Sequence, residues 1–306
     1  MKEMRTYTSC MHTHVRYYVY EPKVILRIKG IIQIHHGMGE HADRYEHFAS
    51  FLTNHGFVVV VSDFAGHGKS LIDFEQGYFG KAHGCEKLVF DMQRLVKIMR
   101  KTYPDIPYYM LGVDLGSLLI RKYMEKYCDY IESAVLLGTP DNCVKHKFIK
   151  KNYLRLLKQL KGPRYRSHVY FNMVQHSLNK QIGCSDSEVD WLTSDDKERK
   201  KFISDPMSHF TYTVQGYLDI MNLIDEVNSY EHIARIPKHI AIYLGSGEFD
   251  AMTKNNQVLA NKYKTAKISD VTYHVFENRR HFILFEKNKR EIYFSILDWL
   301  NERTYL

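Results

Sequence analysis

At 306 residues, with 44% hydrophobic and 25% charged residues, the chain has the length and composition of one α/β domain rather than of a disordered or fibrous protein. The first thirty residues contain no apolar run long enough for a signal peptide or a membrane span. The five cysteines are scattered without CxxC spacing, which argues against disulfides and a zinc site. Together these features predict a cytoplasmic protein. The net charge of +8 is concentrated at residues 145–166, where nine Lys or Arg occur without an acid, so a nucleic-acid binder with a broad basic surface is excluded.

Strand and helix patterns alternate along most of the chain. Runs rich in β-branched and aromatic residues predict strands at residues 15–20, 31–36, 58–63, 108–113, 131–138, 239–244 and 271–277. Apolar positions at helical spacing predict helices at residues 45–54, 86–102, 115–127, 256–264 and 288–301. Continuous apolar runs among these segments are typical of strands that are buried on both faces. The alternation therefore predicts an α/β fold with a doubly wound, mostly parallel sheet.

The alternation of strands and helices stops between residues 141 and 236. This region is helix-like, polar and aromatic, and it interrupts a series that resumes at residues 239–244. Insertions of this size in α/β sheets commonly cover the site at the carboxyl ends of the strands. We therefore predict one domain, with a core of residues 1–140 and 237–306 and a helical lid at residues 141–236.

A sharp turn is predicted between the strand at residues 108–113 and the helix that follows it. The turn reads Gly-Val-Asp-Leu-Gly at residues 112–116, with Asp114 at its centre. Glycines two positions before and two after a central residue permit a nucleophile elbow, which lifts the central side chain above the sheet. The backbone N–H of Leu115 points into the same space and is a candidate oxyanion-hole donor.

Other segments that follow predicted strands supply the remaining parts of a hydrolase site. The loop at residues 35–41 offers the N–H of Met38 as a second oxyanion-hole donor. Asp250 follows the strand at residues 239–244, and His281 follows the last predicted strand. The nucleophile position, the acid and the histidine therefore occur in the chain order of α/β-hydrolases.

Two longer motifs are specific: HGMGEHADRY at residues 36–45 and DFAGHGKS at residues 63–70. Together with the elbow, DWL at residues 190–192 and DP at residues 205–206, they resemble the lysophospholipase and monoacylglycerol lipase family of serine hydrolases. The resemblance extends over nearly the whole chain. It implies an α/β-hydrolase fold and hydrolysis of lipid-like esters by a Ser-His-Asp triad, without a cofactor.

The resemblance also assigns roles to individual residues. Asp250 and His281 match the acid and base positions of the family, and Met38 and Leu115 match its oxyanion-hole positions. Asp114, however, stands where the family has its serine nucleophile, in an elbow that usually reads G-H-S-M-G. A carboxylate that attacks an ester carbonyl forms an anhydride and expels an alkoxide poorly. The main hypothesis is therefore a hydrolase of this lineage for lipid-like carboxylic esters, with its serine chemistry impaired or altered by Asp114.

Two alternatives remain open. A carboxylate can attack sp³ carbon, and water activated by His281 can cleave the resulting ester, as in the haloalkane dehalogenases and epoxide hydrolases. Those families usually have Trp where this chain has Leu115. The candidate leaving-group donors in the insertion are Tyr153, Tyr165, Tyr170, Tyr212, Tyr217 and Tyr230. In the second alternative two carboxylates hold His281 as an imidazolium, and the protein binds an amphiphile without catalysis. Ser117, one turn past the elbow, is expected to be structural.

The basic segment at residues 145–166 also carries an apolar stripe. Its apolar residues recur at helical spacing: Ile149, Tyr153, Leu156, Leu157 and Leu160. Such a helix either lies on an anionic membrane surface or covers an acyl pocket while its lysines face solvent. We expect a small amphiphilic or lipid-like partner, peripheral membrane contact through this segment, and no nucleic acid.

Overall fold

The computed structural model describes residues 1–23, 27–141, 147–183 and 187–304 of the chain. Its strands are β1 (Lys2–Thr8), β2 (His14–Tyr20), β3 (Gly30–His35), β4 (Phe57–Ser62), β5 (Tyr108–Val113), β6 (Ser133–Leu137), β7 (Ala241–Gly247) and β8 (Asp270–Phe276). Its α-helices are α1 (Glu46–Asn54), α2 (Gly84–Thr102), α3 (Leu115–Tyr127), α4 (Lys147–Lys161), α5 (His168–Asn179), α6 (Asp196–Ser204), α7 (Val214–Val227), α8 (Tyr230–Arg235), α9 (Thr253–Thr265) and α10 (Arg290–Asn301).

The strands form one sheet in the order β1-β2-β4-β3-β5-β6-β7-β8. Strands β3 to β8 are parallel, whereas β2 is antiparallel to both β1 and β4. Every predicted strand is present, and the doubly wound, mostly parallel sheet is confirmed. Strand β1 was not predicted, because this edge strand is charged and only partly buried and so has no apolar face.

Helices cover both faces of the sheet. Leu88 of α2, Leu118 of α3 and Leu259 of α9 belong to the core on one face. Phe48 of α1 and Ile296 of α10 belong to the core on the other face. Because parallel strands end at the same edge of a sheet, this arrangement brings the loops after β3, β5, β7 and β8 together.

Helices α4 to α8 lie between β6 and β7, in the described part of the insertion. Helix α7 packs against α2, α3 and α4, and Leu154, Tyr170 and Tyr217 join the core on that side of the sheet. The insertion is therefore helical, as the sequence indicates. Within the described ranges, no helix is both long and apolar enough to cross a membrane.

The apolar residues of α4 do not form a single buried stripe. Tyr153 and Leu157 pack against the core, whereas Ile149, Leu156 and Leu160 are exposed. The expectation of one stripe that covers a pocket is therefore wrong. The physical reason is that α4 buries only the side that packs on α7.

Part of the positive charge of the basic segment is neutralised within the fold. Lys147 and Lys151 form ion pairs with Asp225 of α7. Arg164 forms ion pairs with carboxylates of the loop after β4. Lys145, the first lysine of the segment, lies outside the described residues. The charged side chains that remain exposed on α4 include Arg155 and Lys161.

Candidate active site

Asp114 lies at the sharp turn between β5 and α3. Its backbone has φ 49° and ψ −115°, which costs free energy in a residue with a side chain. A Cβ atom at Gly112 would lie 2.5 Å from the carbonyl carbon of Gly116, and one at Gly116 would lie 2.3 Å from the carbonyl oxygen of His35. Both glycines are therefore required by the close approach of backbone segments, and the turn has the strained geometry of an elbow.

The Asp114 carboxylate contacts the loop after β3 with one of its oxygens. Asp114 is 5% exposed, and the N–H of Met38 donates to its Oδ2 at 2.9 Å. Burial raises the pKa of Asp114, whereas His281 and the N–H groups of Met38 and Leu115 act to lower it. A carboxylate oxygen therefore lies against a backbone donor that the sequence analysis assigns to an oxyanion hole.

His281 lies between two carboxylates. Its Nδ1 is 3.1 Å from Asp250 Oδ1, and its Nε2 is 3.9 Å from Asp114 Oδ1. Burial acts to lower the pKa of His281, but Asp250, Asp114 and Glu40 outweigh burial and raise this pKa to about 9. The carboxylates therefore favour the imidazolium form of His281 at neutral pH, which makes it a poor base while Asp114 is ionised. The predicted site residues that the structure brings together are Asp114, Asp250, His281, Met38 and Leu115.

Glu40 is a buried carboxylate that the sequence analysis did not assign to the site. It accepts hydrogen bonds from the N–H of Gly37 at 2.9 Å, from Tyr45 Oη at 2.8 Å and from Arg44 Nε at 2.7 Å. These bonds hold the loop that presents the Met38 N–H. Glu40 lies inside the HGMGEHADRY motif, but a glutamate in a turn is ordinarily exposed, so the pattern alone gave no reason to place it inside.

Residues of the insertion also form hydrogen bonds with the loop after β3. The N–H of Gly39 donates to Tyr212 Oη at 2.8 Å, and the Gly39 carbonyl accepts from the N–H of His209 at 3.1 Å. Tyr212 Oη is also 2.7 Å from Nε2 of the buried His67. Tyr212 was one of six tyrosines considered as donors, and no local pattern distinguished it from the others.

Trp191 and Ser117 lie close to the central residues in different ways. The rings of Trp191 and His281 are 4.8 Å apart, and the Trp191 carbonyl accepts from the His281 N–H at 3.4 Å. The DWL motif therefore places a ring against the imidazole. Ser117 is buried, and its hydroxyl donates to the carbonyl oxygen of Asp114 at 2.5 Å. This bond within the first turn of α3 is the structural role expected for Ser117.

A mainly apolar pocket adjoins Asp114. Its volume is about 160 Å³, close to the roughly 150 Å³ of an apolar cavity that accepts benzene, so the pocket has room for several methylenes. Asp141 and Lys150 add charged groups to its lining. The aromatic residues of its wall are Tyr170, Phe171, Trp191, Phe202, Phe210, Tyr212, Tyr217 and Phe282. Most of these rings come from helices and loops of the insertion, so the insertion supplies most of the aromatic surface that an apolar ligand would contact.

Comparison with solved structures identifies the fold. A carboxyl esterase from Bacillus coagulans superposes with a TM-score of 0.91 at 24% identity, covering 99% of both chains. A soluble variant of monoglyceride lipase from Saccharomyces cerevisiae superposes with a TM-score of 0.79 at 18% identity, covering 99% of this chain and 96% of the lipase. The sheet, its order and the flanking helices are thus those of an α/β-hydrolase.

Comparison of sequences identifies the family. Human monoglyceride lipase is 25% identical over 287 residues, which are 90% of this chain and 84% of the lipase. The model of the family described as serine aminopeptidase S33 matches residues 27–288, which include every residue predicted for the site. The chain therefore belongs to the serine aminopeptidase S33 family and is a monoglyceride-lipase-like α/β-hydrolase.

Proposed function

We propose that the chain binds a lipid-like amphiphile in the apolar pocket and that Asp114 suppresses the hydrolysis of lipid-like esters there. One observation carries this proposal: Asp114 Oδ2 accepts the Met38 N–H, the donor that an ester oxygen would need in the transition state. The relationship to monoglyceride lipases supports an acyl ester or a similar amphiphile as the ligand class.

Asp114 blocks ester hydrolysis in two ways. The first is chemical, because a carboxylate attacking an ester yields a mixed anhydride and must expel an alkoxide, a far stronger base than itself. The second is positional, because the oxygen that already holds the Met38 N–H competes with the substrate oxygen for that donor. A serine hydroxyl at this position would remove both obstacles.

The other site residues retain the roles that the family resemblance assigns. In this proposal His281 holds the position of the base and would act as one once a serine replaces Asp114, Asp250 orients it, and the N–H groups of Met38 and Leu115 form the oxyanion hole. The hydrogen-bond distance between His281 and Asp250 supports the pairing. The direct test is the Asp114→Ser variant with short-chain and long-chain esters, and a folded variant that stays inert overturns the proposal.

The domain organisation is part of the same proposal. Residues 1–140 and 237–306 form the hydrolase core, and residues 141–236 form a lid over the pocket. The rings that the insertion contributes to the pocket wall support this division. We also propose a cytoplasmic location, which is supported by the free thiols of Cys10, Cys85 and Cys128.

A second candidate function uses Asp114 as a nucleophile toward epoxides or alkyl halides. The observation in its favour is that Oδ2 is held by the Met38 N–H while Oδ1 lies on the side of His281. Oδ1 would displace halide as the free anion, or open the epoxide while the ring oxygen takes a proton from His281 Nε2. The ester formed would remove one of the negative charges that raise the pKa of His281. Water activated by His281 would then add to the Asp114 carboxyl carbon, releasing the alcohol and leaving one water oxygen in Asp114.

Single-turnover reaction in ¹⁸O water decides this second candidate. An alkyl-enzyme route places ¹⁸O in the carboxylate of the peptide that contains Asp114, because the water oxygen enters at its carboxyl carbon. Mass spectrometry of the digested protein measures the label. Product formation with only ¹⁶O in that peptide excludes the route, and the Asp114→Ala variant serves as the unlabelled control.

The exposed residues of α4 support peripheral contact with a membrane. Phe148 and Leu160 are 76% and 72% exposed, and Ile149 and Leu156 are exposed on the same helix. Interfacial helices combine such apolar residues with basic ones that approach anionic headgroups. We propose that this part of α4 lies on the membrane from which the amphiphile enters the pocket.

A double variant, Leu156→Asp with Leu160→Asp, tests membrane contact. We expect binding to vesicles that contain anionic lipid to weaken about tenfold or more, because each exposed leucine loses roughly 1–2 kcal/mol of apolar burial in the interface. Sedimentation with vesicles measures the binding. The matched control is Val258→Asp, which changes an exposed apolar residue of α9. Equal losses in both variants would show that α4 is not the contact surface.

A further inference from the structure

Asp114 and His281 present an acceptor and a donor side by side. Asp114 Oδ1 and His281 Nε2 are 3.9 Å apart, too far for a hydrogen bond between them. His281 is 1% exposed, and its Nε2 has no hydrogen-bond partner among the described residues. A buried imidazolium N–H without a partner costs free energy, so a ligand atom that satisfies it gains that free energy on binding.

A hydroxyl group satisfies both atoms at once. Its O–H can donate to Asp114 Oδ1 while its oxygen accepts from the Nε2–H of His281. An oxygen placed at ordinary hydrogen-bond distance from two atoms that are 3.9 Å apart makes an angle of roughly 90° between the bonds, which a hydroxyl tolerates. Both bonds involve a charged partner, so each is stronger than a bond between neutral groups.

Other polar groups satisfy only one of the two atoms. An ester or ether oxygen can accept from His281 but turns its lone pairs toward the Asp114 carboxylate. A ligand carboxylate is repelled by the same oxygen, and an ammonium donates to Asp114 but meets the His281 proton. An ester carbonyl in the oxyanion hole would also have to compete with Asp114 Oδ2 for the Met38 N–H.

We propose that the amphiphile bound by this site has a hydroxyl group as its polar end, held between Asp114 Oδ1 and His281 Nε2, with an aliphatic chain along the aromatic wall. The ligand class is a long-chain aliphatic alcohol. The inference rests on the proposed function, because it requires the pocket to take an amphiphile. It adds that Asp114, in place of the serine of the family, changes the polar group that the site prefers from an ester oxygen to a hydroxyl.

The pocket wall is compatible with an aliphatic chain that begins beside Asp114. Asp114 and Met38 line the same pocket as Trp191, Ile224 and Met252. Apolar side chains and ring faces give an aliphatic chain contact without demanding further hydrogen bonds. A ligand with a single polar end and a plain chain therefore matches this apolar part of the wall.

The test compares ligands with matched chains on the intact protein. Displacement of a fluorescent lipid probe gives the affinities for 1-decanol, 1-methoxynonane, methyl decanoate and decanoate. We expect 1-decanol to bind at least about tenfold more tightly than the ether, because one donated hydrogen bond to a charged acceptor is gained. In the Asp114→Ala variant this preference is expected to disappear, since the acceptor is lost.

The pH dependence gives a second readout on the unaltered chain. Asp250, Asp114 and Glu40 are the charged groups that raise the pKa of His281 to about 9. The affinity for 1-decanol is expected to be constant up to about pH 8 and to fall as the pH passes 9, because His281 Nε2 then loses the proton that it donates to the ligand oxygen. The affinity for the ether is expected to fall with it, whereas the preference for the alcohol, which comes from Asp114, is expected to persist. This readout does not depend on the folding of a variant.

The outcomes separate the inference from the proposed function. Equal affinities for 1-decanol and 1-methoxynonane, or tighter binding of decanoate, overturn the hydroxyl proposal and leave amphiphile binding intact. An alcohol preference that survives in Asp114→Ala also overturns it, because the preference then arises elsewhere. If the probe and all these ligands fail to bind, the proposed function fails as well.

Discussion

The Asp114→Ser variant is expected to hydrolyse p-nitrophenyl butyrate and a monoacylglycerol at least about 100-fold faster than the unaltered chain. Serine supplies an alkoxide nucleophile, and it frees the Met38 N–H for the substrate oxygen. It also removes one of the charges that raise the pKa of His281, which lets the imidazole act as a base. Initial rates at pH 8 measure the gain.

Matched variants separate these contributions. Asp114→Ala frees the same donor and removes the same charge but supplies no nucleophile, so it is expected to stay inert. Adding His281→Ala to Asp114→Ser is expected to abolish most of the gain. Equal activity in Asp114→Ala and Asp114→Ser, or an inert but folded Asp114→Ser, would contradict the assignment of residue 114 as the nucleophile position.

The free energy of unfolding is expected to fall by roughly 3 kcal/mol as the pH rises from about 6.5 to above 9. Asp250, Asp114 and Glu40 raise the pKa of His281 from an ordinary value of 6.5 to about 9 in the folded protein. A raised pKa means that the folded protein holds this proton more tightly than the unfolded chain. The stabilisation is therefore complete below pH 6.5 and is lost as the pH rises through 9.

Urea unfolding at a series of pH values measures this loss. The His281→Gln variant is the control, because it keeps a polar side chain near Asp250 but has no titratable group. The difference between the two proteins isolates His281 from the other groups that titrate in the same range. Parallel curves for the two proteins would show that His281 is not held as an imidazolium between carboxylates.

The fold could be predicted from the sequence where burial produces a simple pattern of apolar residues. Continuous apolar runs such as β4 predict strands covered on both faces, and every position of β4 is buried. Strand β1 was missed because it pairs only at the edge of the sheet and buries little. The buried side of α4 was also predicted incorrectly, because helical periodicity gives the spacing of apolar residues but does not show which neighbouring element they pack against.

The site could be predicted from the sequence where the backbone geometry requires particular residues. Gly112 and Gly116 mark the elbow because a side chain at either position would collide with backbone atoms. The contacts of Glu40 and Tyr212 depend on loops from distant parts of the chain meeting in space, which no local pattern encodes. The orientation of the Asp114 carboxylate toward the Met38 N–H also depends on such a contact between distant segments, and the proposed loss of ester hydrolysis depends on that orientation.

Labelling with a fluorophosphonate probe tests the central claim most directly. The probe reacts with a serine that has a working base and oxyanion hole beside it. We predict no labelling of the unaltered chain and labelling of Asp114→Ser at residue 114, as located by mass spectrometry of the digested protein. Labelling of the unaltered chain, at Ser117 or any other residue, or a folded Asp114→Ser that takes up no probe, would contradict the account.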